Sequence, residues 1–218
     1  VVGHIRPDGD CIGSQVGLAL ALEGAGKDVT VWNQDPVPDK LRFLDPDKRV
    51  RKPTLGRQFD LVIATDCAAL DRMGRVTEFL PDGVVLVNID HHASNTRYGK
   101  LNWVSPREPS TGELIFDLCK WAGWKVTQPM ADCLFTAVST DTGSFQYPCT
   151  TPDTLRTAAE AAAADGAAGL AAALRAGASR HPGSWARARP NWRASPHNPD
   201  YQCAALPRCH PRLSRGAA

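Results

Sequence analysis

Apolar positions along the first two-thirds of the chain alternate between short runs and helical stripes. Leu61–Thr65 (LVIAT) and Val84–Ile89 (VVLVNI) are apolar runs of strand length, the pattern of parallel strands covered on both faces. Val1–Ile5 and Val29–Trp32 predict two shorter strands. Ile12–Glu23 reads as a helix with Ile12, Val16, Leu20 and Leu22 near one face, ended by Gly24 and Gly26. Gly112–Trp121 and Met130–Val138 carry apolar stripes of helical period. Pro- and Gly-punctuated loops such as Asp35–Asp39 and Ser105–Ser110 separate them. Strands alternating with helices predict an α/β fold, a parallel sheet flanked by helices.

The pattern stops near residue 158. Residues 159–218 contain no Val, Ile, Phe, Met, Thr or Lys. Ala158–Ala173 still suits a helix, so 159–176 is a linker-helix candidate. From 177 to 218 six prolines interrupt a mixture of Ala, Arg and Gly without period 2 or 3.6, which reads as disordered. A natural basic tail is one account of it; out-of-frame translation of a GC-rich gene is the favoured one. The net charge of +2 divides into −3 over 1–158 and +5 over 159–218. The first part is therefore not a uniformly basic nucleic-acid domain. Seven cysteines, an odd number without regular spacing, argue against a disulfide framework, making a reducing cytoplasm the expected location. No stretch approaches the ~20 apolar residues of a membrane span.

Four clusters carry chemistry. His4, Asp8 and Asp10 lie within seven residues after the first strand, with Pro7 and Gly9 forcing a turn. Asp66 follows LVIAT, Asp90-His91-His92 follows VVLVNI, and Asp141 sits in Thr140-Asp141-Thr142-Gly143-Ser144. Taken alone, Asp66 reads as a helix cap or turn former, and His91-His92 as surface histidines. Together they matter more, because parallel strands share one carboxyl edge and the ligand crevice lies outside it. Five carboxylates gathered there would repel one another unless cations neutralise them. A carboxylate and imidazole set without thiolate suits Mn²⁺ or Mg²⁺, with donors enough for two ions. Cys11, Cys67 and Cys133 sit beside apolar runs and read as core residues.

The segments HIRPDGDCIGS, ATDCA, DHH at 90–92 and STDTGSF resemble four successive motifs of the DHH phosphoesterase superfamily. DHHASNTRYGKLNWV, STGELIFDL and TDTGSFQYPCTTP are similar to its nano-RNase and 3′-phosphoadenosine-phosphate phosphatase branch, which includes enzymes acting on linear or cyclic dinucleotides. The resemblance runs from Val1 to about Ala164 and identifies 1–158 as a catalytic domain. It implies two Mn²⁺ ions, with Mg²⁺ as the alternative. His4, Asp8 and Asp66 would hold one. Asp10, Asp66, His91 and Asp141 would hold the other, Asp66 bridging. His92 would face the scissile phosphate beside Asp66, Asp90 would orient the histidines, and Ser14 and Asn95 would meet phosphate or ribose. The implied substrates are short RNA or nucleoside 3′,5′-bisphosphates, and the implied assembly is a homodimer of the full-length protein. The branch also carries a C-terminal substrate-binding domain, which nothing in 165–218 matches, and a helix before the first strand. The alternatives are another hydrolase of the superfamily (an inorganic pyrophosphatase or single-strand exonuclease) and an inactive nucleotide-binding or truncated product.

Overall fold

The computed structural model describes residues 1–164 of the 218; the linker-helix and tail readings beyond them lie outside the described residues. The described residues form five strands: β1 (Val31–Trp32), β2 (Val50–Arg51), β3 (Leu61–Thr65), β4 (Val85–Asp90) and β5 (Leu101–Val104). Pairing runs β1–β2 and β3–β4–β5, parallel throughout. Val2 joins the two sheets by bridging to Trp32 on one side and Ala64 on the other. The first segment is thus reduced from the expected strand to a single bridging residue. Its hydrogen bonds run Val2 N to Ile63 O and Thr65 N to Val2 O, both 2.9 Å.

Alternation on β3 shows why LVIAT is continuously apolar. Val62 and Ala64 pack with Met73 and Val76 of a 3₁₀ segment, Leu70–Phe79, on one face. Ile63 faces the helices on the other. Four helices cover that second face and its flanks: α1 (Gly9–Gly24), α2 (Thr111–Trp121), α3 (Gln128–Asp141) and α4 (Pro152–Ala163). Asp8 caps α1 by accepting from Cys11 N at 3.1 Å, which starts the helix three residues ahead of its apolar stripe. A capping box at Thr151 and Thr154, with Pro152 at the first position, starts α4. This helix crosses the 158/159 boundary drawn from composition, because its local start signals precede the Ala-rich run.

α1 and α3 lie unusually close. Gly9, Gly13 and Gly17 recur every four residues, and a β-carbon on Gly13 would stand 2.4 Å from the carbonyl oxygen of Cys133. Backbone cannot yield as a side-chain tip can. Gly13→Ala is therefore expected to destabilise the fold by about 1–3 kcal/mol, read as a lowered thermal midpoint. An unchanged midpoint would mean that the two helices separate freely.

Glu113 lies buried near the start of α4. Burial, then the charges of Asp117, Glu108 and Asp153, push its carboxyl up to about 7 against an opposing hydrogen bond from Thr154. A raised acid binds its proton more tightly in the folded state. Its stabilising contribution is complete below the unfolded value near 4.5 and is lost as pH rises to about 7. Glu113→Gln should remove that loss. The variant's stability advantage should grow from pH 5 to pH 8, towards at most about 3 kcal/mol; a pH-independent difference in denaturant midpoints would contradict it.

Candidate metal centre

The carboxyl edge of the sheet gathers the predicted residues. His4 follows the Val2 bridge, Asp66 follows β3, and Asp90 ends β4 with His91 and His92 beyond it. The N-terminus of α1 brings Asp8 and Asp10, and the C-terminus of α3 ends on Asp141. The β3–β4 register aligns Thr65 with Ile89, and Asp66 N donates to Ile89 O at 3.0 Å. Asp66 caps no helix, since the following 3₁₀ segment is preceded by Ala69.

Asp66 lies at the middle. Its Oδ2 is 3.4 Å from His4 Nε2, which is 3.8 Å from Asp8 Oδ1. Its Oδ1 is 3.6 Å from both His91 Nε2 and His92 Nδ1 and accepts from Thr111 Oγ1 at 3.1 Å. His91 Nε2 also lies 3.6 Å from Asp10 Oδ2 and 3.3 Å from Asp141 Oδ2. Three groups of donor atoms are close enough to share an ion: His4, Cys11 and Asp66; Asp66, His91 and His92; and Asp10, His91 and Asp141. Cys11, read from sequence as a core cysteine, is fully buried and also borders this cluster. Only its helical position, one residue after Asp10, signals that proximity.

Asp10 is entirely buried and accepts from Thr111 N (2.6 Å), Gly112 N (2.8 Å) and Ser14 Oγ (3.0 Å). Thr111 and Gly112 open α2, so the positive end of that helix faces the carboxylate. Burial and the charges of Asp66 and Asp141 nevertheless push the Asp10 carboxyl well up. Burial would raise Asp66 too, but hydrogen bonding from His4 and the charges of His92, His4 and His91 hold it well below the usual range. The crevice is short of positive charge, not of hydrogen-bond donors.

The remaining predicted residues are bonded to neighbouring side chains. Asp90 Oδ1 is 2.8 Å from His92 Nδ1, and its Oδ2 accepts from Asn95 Nδ2 at 2.5 Å. Both carboxylate oxygens are thereby engaged with side chains. Ser14 is fully buried with its hydroxyl on Asp10. Asn95 spends its amide nitrogen on Asn88 and Asp90, and its oxygen accepts from Arg97 N at 2.7 Å. Ser14 is thus enclosed within the protein, whereas Asn95 is half-buried with its amide bonded to its neighbours.

The family model described as the DHH family, N-terminal domain, matches residues 1–138. The chain belongs to the DHH family. Its Asp90-His91-His92 is the tripeptide after which the family is called, and all the clusters above except Asp141 fall inside the matched span. The bifunctional oligoribonuclease and PAP phosphatase NrnA of Thermus thermophilus is 38% identical over 162 residues, 73% of this chain and 48% of the relative. Its namesake from Bacillus subtilis is 34% identical over 160 residues, 72% and 50% of the respective chains. The DHH chain spans about half the length of the curated relatives it matches. Among solved structures, an exopolyphosphatase-related protein from Bacteroides fragilis superposes with TM-score 0.68 at 26% identity, covering 74% of this chain and 51% of that one. A putative family II inorganic pyrophosphatase from Methanococcus jannaschii gives TM-score 0.61 at 22% identity, over 80% and 58%, and shares the fold.

Proposed function

We propose that this DHH chain carries the catalytic half of a phosphoesterase that hydrolyses short oligoribonucleotides, nucleoside 3′,5′-bisphosphates or dinucleotides with two divalent cations. The observation that carries this reading is His91 Nε2. It is buried without a hydrogen-bond partner, yet carboxylate oxygens of Asp10, Asp66 and Asp141 lie 3.3–3.6 Å away. An unpartnered imidazole nitrogen among three carboxylates is a donor set that suits a divalent cation. His4, Asp8 and Asp66 would hold one ion, and Asp10, Asp66, His91 and Asp141 the other. Mn²⁺ suits the imidazole content better than Mg²⁺, which prefers oxygen and water. When bound, such ions neutralise phosphate charge and lower the pKa of water. The chain's own residues then orient and stabilise. Asp90 holds His92 Nδ1; on the doubly protonated ring that this carboxylate favours, Nε2–H would donate to a phosphate oxygen as charge develops. The NrnA relatives support the choice of substrate.

The cytoplasm remains the proposed location, in keeping with the five free cysteines among the described residues. No helix among those residues is long and apolar enough to cross a membrane. The deciding assay is hydrolysis of a 5′-labelled RNA dinucleotide and of adenosine 3′,5′-bisphosphate with and without Mn²⁺. Turnover that requires the ion is expected. Binding of two ions without any turnover would overturn the assignment of activity to this chain.

A further inference from the structure

Asp66 has φ 54°, a left-handed conformation that a non-glycine residue keeps only where its surroundings enforce it. The enforcement is visible one residue further on. The carbonyl of Cys67 accepts from Tyr98 Oη at 3.0 Å, Asn88 Nδ2 at 3.2 Å and Asn95 Nδ2 at 3.4 Å. Three side-chain donors thus converge on one carbonyl, which offers two lone pairs.

The same three side chains bond to one another. Asn88 Nδ2 donates to Tyr98 Oη at 3.1 Å, and Asn95 Nδ2 to Asn88 Oδ1 at 2.7 Å. Asn95 also reaches Asp90, which holds His92. One network therefore touches both the turn that presents Asp66 and the carboxylate that orients His92. Asn88 is fully buried on β4, where an amide is costly unless its bonds are met.

We propose that Asn88, Asn95 and Tyr98 form a positioning clamp that fixes Asp66 through the Cys67 carbonyl and His92 through Asp90. The clamp rests on the phosphoesterase reading and deepens it, since it sets the spacing of ligand and phosphate-facing side chains. It acts through Asp66 and His92 and touches no substrate.

Tyr98→Phe tests it with least disturbance. The ring packs against the cluster around Trp32, Val62 and Met73, so only the hydroxyl is lost. Two readouts are taken on the full chain: Mn²⁺ affinity by calorimetric titration, and hydrogen exchange of the metal-free protein by mass spectrometry. Mn²⁺ affinity should weaken about ten- to hundredfold, as for other groups that orient metal ligands. Exchange should accelerate around residues 66–69 while β3 stays protected. Asn95→Ala, on a partly exposed loop, should act in the same direction and serves if Tyr98→Phe fails to fold. Unchanged Mn²⁺ affinity in a folded variant would overturn the clamp, even if exchange rises or the melting point falls. A wild-type chain that binds no Mn²⁺ would sink the metal reading instead. The exchange arm then decides the clamp: acceleration confined to 66–69 supports it, and no change overturns it.

Discussion

Asp66→Asn is expected to lower metal-dependent phosphoester hydrolysis about a thousandfold or more while leaving the fold in place. Asp66, like His91, belongs to two of the three donor groups among the described residues, one with His4 and one with His91 and His92. Its two oxygens point to different neighbours: Oδ2 to His4, Oδ1 to His91 and His92. One substitution thus removes an anionic donor from both of the proposed ion positions. Charge stabilisation by such ions is worth several kcal/mol in the transition state, and each ~1.4 kcal/mol is a factor of ten. Asparagine keeps the shape of the side chain and tolerates the left-handed backbone better than most residues, and Thr111 can still donate to its oxygen. Initial rates with Mn²⁺, together with a circular dichroism spectrum, check both halves. Activity within tenfold of wild type would show that Asp66 is not a shared ligand.

Much of this arrangement is legible in the sequence, because parallel strands turn sequence order into a shared edge. LVIAT becomes β3 with the bounds its apolar run predicts, and the residue after it reaches the centre of the crevice. Other elements leave little trace. β1 is the predicted Val29–Trp32 strand shortened to two residues, whereas β2, also of two residues, is too short for a period to register. The Leu70–Phe79 segment spaces Leu70, Met73, Val76 and Phe79 three residues apart, a 3₁₀ period, and turns through Gly74 at φ 59°, so a search for a 3.6-residue stripe passes over it. β5 alternates exposed Leu101 and Trp103 with polar or half-buried neighbours, which reads as loop. The polar network behind the site is equally silent. Asn88 interrupts an otherwise apolar run, and that interruption is its one signal. Its partners Asn95 and Tyr98 lie seven and ten residues away, joined only by the fold. Ser14 and Asn95 are named from resemblance as substrate contacts. The structure turns both towards carboxylates, Asp10 and Asp90, a direction that no residue pattern specifies.

His92→Gln should cost about a hundred- to thousandfold in turnover and leave Mn²⁺ stoichiometry unchanged. Two adjacent histidines thereby receive different tasks. His91 sits with its Nε2 unpartnered among three carboxylates. His92 is more open to solvent, and its Nδ1 stands 2.8 Å from Asp90. A carboxylate only accepts, so the proton of that bond lies on Nδ1. A protonated Nδ1 cannot also bind an ion, although Asp66 Oδ1 lies 3.6 Å away. The free nitrogen is Nε2, which on the doubly protonated ring donates to charge that grows on phosphate, and loss of one such donor carries a penalty of the stated size. Asp90→Asn should reduce turnover through the same histidine, by weakening the support for its doubly protonated ring and its orientation. The double variant should then lose scarcely more than His92→Gln alone, since residues acting in series are not additive. Additive losses would mean that Asp90 acts independently of His92. Loss of one of the two ions from His92→Gln would make His92 a ligand and move the Asp66–His91–His92 group into the metal centre itself.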